Sequence, residues 1–222
     1  MNAGYQAEYV RFKNAGWALI KVPGEASDYT DADLNVSLSL LDIDEKADHA
    51  ARGEVKVTAL VKIFKKMSFD TGESLGYGPV RLPETDMHTS AMWLTLPQEV
   101  ADKYGKDSLQ NGMMGICNTL RIVLPLYLMC SPRDIAVSYQ VKSPMTDLPT
   151  IIVYDTSPGG VGLSEKAYHM RGTLMTHASQ LIRGCDCEMG CPSCVGPLGE
   201  VGEDGKTMAL KLLNVLKSHT LN

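Results

Sequence analysis

The stretch GCDCEMGCPSCVG brings Cys185, Cys187, Cys191 and Cys194 together within ten consecutive residues, and nothing else in the sequence restricts the fold as tightly. Thiols this close must share one small volume. Pairs of cysteines separated by one or two residues can present a tetrahedral thiolate set from tight turns, with metal–sulfur distances of about 2.3 Å for zinc. Gly184, Gly190 and Gly196 supply backbone freedom for those turns, and Pro192 fixes one φ inside the Cys191–Cys194 element, which has the form of a zinc knuckle. Zinc is the expected ion. A pair of disulfides is the first alternative, although a Cys-x-Cys unit pairs poorly and nothing in the chain argues for secretion. An iron–sulfur cluster is the second, although neither ferredoxin spacing occurs.

The remaining composition sets the surroundings of that centre. At 222 residues and 44% hydrophobic, the chain suffices for one domain, or one domain with a subdomain, around a sizeable core. No segment approaches about eighteen uninterrupted apolar residues, and the first thirty contain no signal-peptide core, so a cytoplasmic setting without membrane contact is expected. Thiols stay reduced there, which favours metal over disulfides. A formal net charge of −5 argues against broad, autonomous binding to a phosphate backbone.

Residues 1–34 read as a leading segment or linker, ending in the acidic, turn-prone PGEASDYTDADL. Val36, Leu38 and Leu40 alternate, as do Val55, Val57, Ala59, Val61 and Ile63, predicting two half-buried antiparallel strands joined by the polar connector DEKADHAARG. His49 lies in that connector, where it should be solvated. Lys56, Lys62, Lys65 and Lys66 could form a basic strip, though a charged outer strand face explains them more simply. Turn residues between Met67 and Pro97 predict a meander; His88, Thr89, Ser90 and Trp93 within it either line a stacking surface or serve structure, the latter being commoner.

From Asp107, a plausible N-cap, Leu109, Met113, Ile116, Leu120 and Val123 recur at helical spacing, predicting a core helix that Pro125 ends or kinks. Cys117 and Cys130 read as buried small hydrophobes. IAVSYQV and the apolar TIIVYD predict strands, the second fully buried. It feeds the glycine-rich turn DTSPGGVG and a helix with Leu163, Ala167, Met170, Leu174, Ala178 and Leu181 on one stripe, along which His169 and His177 are solvated or packed. Ser157, Gly159, Gly160 and Gly162 are the candidate contacts for an anion or a DNA phosphate, although tight chain reversal explains the glycines as well. The dinucleotide fingerprint fails, since Glu165 stands where its third glycine should be. DGKT fails as a phosphate-binding loop, because Glu200 occupies the position of the first glycine. Gly205 and Lys206 instead lead into a C-terminal amphipathic helix with Met208, Leu212 or Leu213, and Leu216 toward the core.

MHTSAMWLTLP, LYLMCSPRDI, YDTSPGGVGLSEKAY, CDCEMGCPSCVGP and DGKTMALKLL, in that order, resemble the C-terminal zinc-binding region of the mitomycin-repair-type DEAD/DEAH-box DNA helicases, the MrfA-type zinc-binding (MZB) domain. The resemblance spans about residues 35–218 and places the domain in 35–222. It implies that Cys185, Cys187, Cys191 and Cys194 hold one structural zinc, and that the domain serves a 3′–5′ superfamily 2 motor in DNA repair. The two RecA-like motor domains are absent from the sequence, so the motor partner belongs to a longer chain or to a separate one, and this chain alone should not be an ATPase. The expected architecture is α/β (α+β): antiparallel β-structure, a core helix, and a C-terminal helix–zinc knuckle–helix unit that helps guide single-stranded DNA or docks on the motor. Two other readings are an enzyme binding a phosphate-bearing substrate at the Asp155–Gly162 turn, and a stand-alone subunit of an anti-phage defence complex.

Overall fold

The computed structural model describes residues 6–9, 19–21, 28–68, 70–71, 73–79 and 82–220. The chain forms two compact units, residues 1–37 with 58–85, and residues 38–57 with 86–222. The expected boundary at residues 34 and 35 falls inside a strand.

The first unit contains β1 (Gln6–Tyr9) paired antiparallel with β2 (Leu19–Lys21). It also holds the first part of β3 (Asp28–Ala47), the last part of β4 (Ala50–Ser68), and β5 (Ser74–Pro79), which pairs antiparallel with β4. Tyr77 lies opposite Lys65 and Gly78 opposite Phe64, whose ring would be struck by a Cβ at position 78. Ile63, expected to be half-buried, is exposed here.

The second unit carries the rest of β3 and β4 together with β6 (Thr85–Thr95, from Asp86 on), β7 (Ile135–Gln140) and β8 (Thr150–Asp155). The sheet order is β3-β4-β6-β8-β7. All six residues of β8 are buried, as an unbroken apolar run requires when both faces are covered. Against one face packs α2 (Lys106–Leu128), preceded by the short α1 (Gln98–Lys103). Leu109, Met113, Ile116, Leu120 and Val123 of α2 are all buried, in one core with Met92, Leu94, Val137, Ile151 and Val153. Two further helices, α4 (Arg171–Arg183) and α6 (Gly205–Thr220), pack on α2 and complete that core.

Local expectations are corrected at the connector, at the N-cap of α2 and in Pro125 ending that helix. The supposed polar connector is almost entirely strand: β3 runs to Ala47, Asp48 and His49 make a two-residue turn, and β4 resumes at Ala50. His49 takes φ 56° there. The polar residues pair across the hairpin, Arg52 reaching Glu45 at 3.0 Å and Asp44 at 3.3 Å. The N-cap of α2 is Gly105, while Asp107 sits in the first turn, where a negative charge suits the helix dipole. Pro125 lies within α2, which continues to Leu128 and ends on Met129 in the left-handed conformation.

The single helix expected after the glycine turn is two, α3 (Leu163–His169) and α4, broken at Met170 with φ −96° and ψ 6°. Arg171 Nη1 donates to the Tyr168 carbonyl at 2.9 Å, satisfying an acceptor at the break. Ala167, Leu174 and Ala178 of the expected stripe are buried, whereas Leu163, Met170 and Leu181 are only partly covered. No helix among the described residues is long and apolar enough to cross a membrane.

Candidate metal centre

Four segments converge on the cysteines. Helix α4 ends at Gly184, delivering Cys185 and Cys187 directly beyond it. Cys191 and Cys194 then form a tight turn in which the N–H groups of Cys194 and Gly196 both donate to the Cys191 carbonyl at 3.0 Å. Gly190 and Gly196 have φ of 140° and 107°, and a Cβ on Gly190 would come within 2.8 Å of Val195 and 2.9 Å of the Gly196 carbonyl. The short α5 (Leu198–Val201) leads to α6, so the helix–knuckle–helix arrangement is present. Helix α2 holds the turn from beneath: Thr119 Oγ1 donates to the Cys194 carbonyl at 3.1 Å, and Asn118 Nδ2 to the Val195 carbonyl at 3.0 Å.

The four Sγ atoms lie within 4.8 Å of one another. Cys185 and Cys191 are 3.5 Å apart, Cys187 and Cys194 3.4 Å, and Cys191 and Cys194 3.6 Å. A regular tetrahedron with zinc–sulfur bonds of about 2.3 Å has edges of about 3.8 Å, so this shell fits one ion. A multi-iron core would spread its thiolates over several metals. Cys194 is fully buried, the others half-buried, and all six cysteines of the chain are free. Burial pushes the Cys194 thiol up to about 12, while a hydrogen bond from Cys185 pulls the Cys191 thiol down to about 7. Such crowding of four thiols is relieved when a dication takes the place of their protons. Four protein ligands leave a metal no open position for water, which is the pattern of a structural site.

Sequence reasoning missed the role of Lys206. Its Nζ donates to the Cys185 carbonyl at 2.7 Å and also to the Cys187 carbonyl, and lies 3.4 Å from Cys187 Sγ. No local signal reveals this, because only the packed fold brings the first turn of α6 against the cysteine loop. Cys117 is fully buried and apart from the centre, its thiol pushed up to about 12 by desolvation. Cys130 is only half-buried.

The glycine turn is engaged from within the chain. The buried Asp155 carboxylate accepts from the N–H groups of Val161 at 2.6 Å, Leu163 at 3.2 Å and Ser164 at 2.7 Å, capping α3 from the end of β8. The Gly159 N–H donates to the His88 carbonyl and that of Gly160 to the Ser157 carbonyl. Gly160, at φ 73°, rests on Ser90, whose Oγ would lie 2.5 Å from an added Cβ. Gly162, at φ 85°, is the residue before α3. Thr89 Oγ1 lies 2.9 Å from the carbonyls of both Asp155 and Ser157. Trp93 is only 4% exposed, opposite Ile152, and presents no ring face to a nucleotide. Thr89, Ser90 and Trp93 thus serve the fold, while the His88 side chain is exposed and only its carbonyl holds the turn. His177 stacks on Tyr127 with ring centroids 4.4 Å apart. In the lysine strip, Lys56 pairs with Asp86 and Lys66 with Asp28, Lys65 is exposed, and the Lys62 side chain lies outside the described residues.

Fold and site together define an α+β domain whose C-terminal helices close on a four-cysteine centre suited to one metal ion. Residues 116–195, which include all four cysteines, match the family described as MZB, the MrfA Zn-binding domain. The chain carries an MrfA-type zinc-binding domain. It is 42% identical over 190 residues to the protein named uncharacterized ATP-dependent helicase YprA of Bacillus subtilis (strain 168), a match covering 84% of this chain and 25% of that protein. It is 26% identical over 125 residues to ATP-dependent helicase hrq1 of Schizosaccharomyces pombe, covering 50% of this chain and 12% of that one. The crystal structure of the DUF1998 helicase MrfA bound to DNA superposes with a TM-score of 0.68 and 38% identity, over 95% of this chain and 28% of that one. The MrfA complex with DNA and AMPPNP gives a TM-score of 0.61 and 36% identity, over 95% of this chain and 25% of that one. The chain thus spans about a quarter of the length of YprA.

Proposed function

We propose that this chain is the zinc-stabilised accessory domain of a superfamily 2 DNA helicase acting in DNA repair, residues 35–222 forming the domain and Cys185, Cys187, Cys191 and Cys194 holding one structural zinc. The observation that carries the proposal is the match of 95% of the chain to part of a DNA-bound helicase, with the four thiols gathered into one shell. The motor works from the same polypeptide, since the helicase YprA is about four times as long as the region it shares with this chain. The reducing cytoplasm is the setting that keeps the thiols available to metal.

The domain's part is to retain single-stranded DNA or to dock on the motor. A surface of suitable composition lies on β5 and the adjoining length of β4, where Tyr77 is 82% exposed opposite Lys65, with Ile63 exposed on the same face and Leu75 exposed two residues before Tyr77. An exposed ring beside a cation is what sequence-tolerant strand binding uses, stacking contributing about 1–3 kcal/mol per base. In the Asp155–Gly162 turn the Val161 N–H is taken by Asp155 and those of Gly159 and Gly160 by the His88 and Ser157 carbonyls, so a strand phosphate at Ser157, Gly159, Gly160 and Gly162 would meet only the remaining groups. Unwinding by the motor with and without the domain tests the role, with lower processivity expected in its absence. In the helicase that contains it, Tyr77→Ala should weaken strand retention about tenfold or more; equal processivity for all three proteins would reduce the domain to a purely structural part.

A further inference from the structure

We propose that Lys206 is a positioning residue of the metal centre, an ammonium that clamps the Cys185–Cys187 arm and offsets the charge of a tetrathiolate complex. The inference rests on the zinc reading above and concerns a residue of the DGKT stretch that this reading leaves without a role.

Geometry carries it. Lys206 Nζ meets the Cys185 carbonyl at 2.7 Å, the Cys187 carbonyl, and Cys187 Sγ at 3.4 Å, so the three hydrogens of one ammonium have three acceptors on a single arm of the site. An ammonium has three donors and no acceptor capacity, and such a set of partners matches it completely. The two carbonyls lie on either side of Asp186, fixing the arm that connects α4 to the knuckle. The third partner is itself one of the four sulfurs of the cluster.

The charge balance gives the clamp its purpose. Four thiolates around one dication carry two net negative charges, and Asp186 and Glu188 add two more on the same loop. Cys194 is fully buried, and the centre stands in a partly desolvated setting where uncompensated charge is costly. A cation hydrogen-bonded to a ligand sulfur lowers that cost and withdraws electron density from the sulfur, which makes it a poorer nucleophile. Helix α6 delivers the cation: Gly205 packs against Val201, and Lys206 follows in the first turn.

The test uses the full 222-residue chain loaded with zinc, with Lys206→Met, Lys206→Gln and Lys206→Arg beside the wild type. Zinc affinity is read by competition with a chromophoric chelator, and alkylation of each cysteine by mass spectrometry. Loss of the charge in the Met and Gln variants should weaken zinc binding by about 10–100-fold and speed modification of Cys187, whereas Arg should stay within a few-fold of wild type. Gln keeps a donor for the carbonyls, so it decides the matter should Met fail to fold. Unchanged affinity in Gln, or a loss in Arg equal to that in Gln, would overturn the role of the charge. A wild-type chain without zinc would instead refute the metal reading itself, so the two failures are distinguishable.

Discussion

At the scale of single residues, the burial of one carboxylate governs the turn between β8 and α3. Asp155 is inaccessible to solvent and accepts three backbone N–H groups, of which that of Ser164 is buried, so Asp155→Ala would strand one buried donor at about 1–3 kcal/mol and free two that water can partly reach. The variant should lose on the order of 2 kcal/mol or more in urea unfolding, and a loss below about 0.5 kcal/mol would refute the capping role. Cys117 offers a second test. Its thiol is raised to about 12 by burial, so it stays protonated at neutral pH and should resist maleimide in the native chain. Labelling as fast as a free thiol would place it elsewhere. The cysteine cluster was legible because its four thiols are neighbours in sequence. Asp155 and Lys206 were not legible in the same way, since the partners that define them are brought together by a strand, a turn and a helix meeting in space. At Ser157, Gly159, Gly160 and Gly162 sequence shows the glycines but not the internal acceptors, the His88 and Ser157 carbonyls, that take the N–H groups of Gly159 and Gly160.

Among elements, the crossing of α2 and α6 is set by Gly112 and Gly115. A Cβ on Gly112 would lie 2.8 Å from Leu212 Cδ1 and 2.9 Å from Met208 Cβ, and on Gly115 3.2 Å from both Ala209 and Val195. Alanine gains about 1 kcal/mol of helix propensity over glycine, yet overpacking costs about 1–3 kcal/mol, and the backbone-anchored Met208 Cβ cannot swing away. Gly112→Ala should therefore destabilise the chain. Gly199→Ala on α5, with nothing within 4 Å, should be neutral or mildly stabilising. Thermal unfolding of the two side by side decides the point, and equal midpoints would count against close packing at Gly112. Helices α2 and α6 and strand β8 could be read from apolar periodicity because each presents its pattern to the core. The β3–β4 hairpin could not, because its end is held by Arg52, Asp44 and Glu45, and solvated pairs leave no apolar alternation. The break at Met170 was hidden as well: apolar spacing runs on through it, and the Arg171 guanidinium that bonds the Tyr168 carbonyl is invisible to periodicity.

At the scale of the whole molecule, a net charge of −5, with Lys66 of the proposed contact surface already paired with Asp28, sets the expectation for DNA. Non-specific affinities run roughly 10⁻⁴–10⁻⁶ M at physiological salt even with a favourable field, so the isolated chain should bind single strands only in the weak part of that range, with a shallow salt slope. Fluorescence anisotropy at several salt concentrations measures this, and submicromolar binding would contradict it. Tethered to a motor, the same contacts act at an effective concentration of about millimolar. The account rests on the metal. Structural zinc can supply on the order of 10 kcal/mol of folding free energy, and its removal should loosen at least Gly184–Pro197 in hydrogen exchange. Elemental analysis of the purified chain and its Cys191→Ser variant is the most direct test: the account predicts one zinc per wild-type chain and a marked loss in the variant. Stoichiometric iron, or full zinc content in Cys191→Ser, would contradict it.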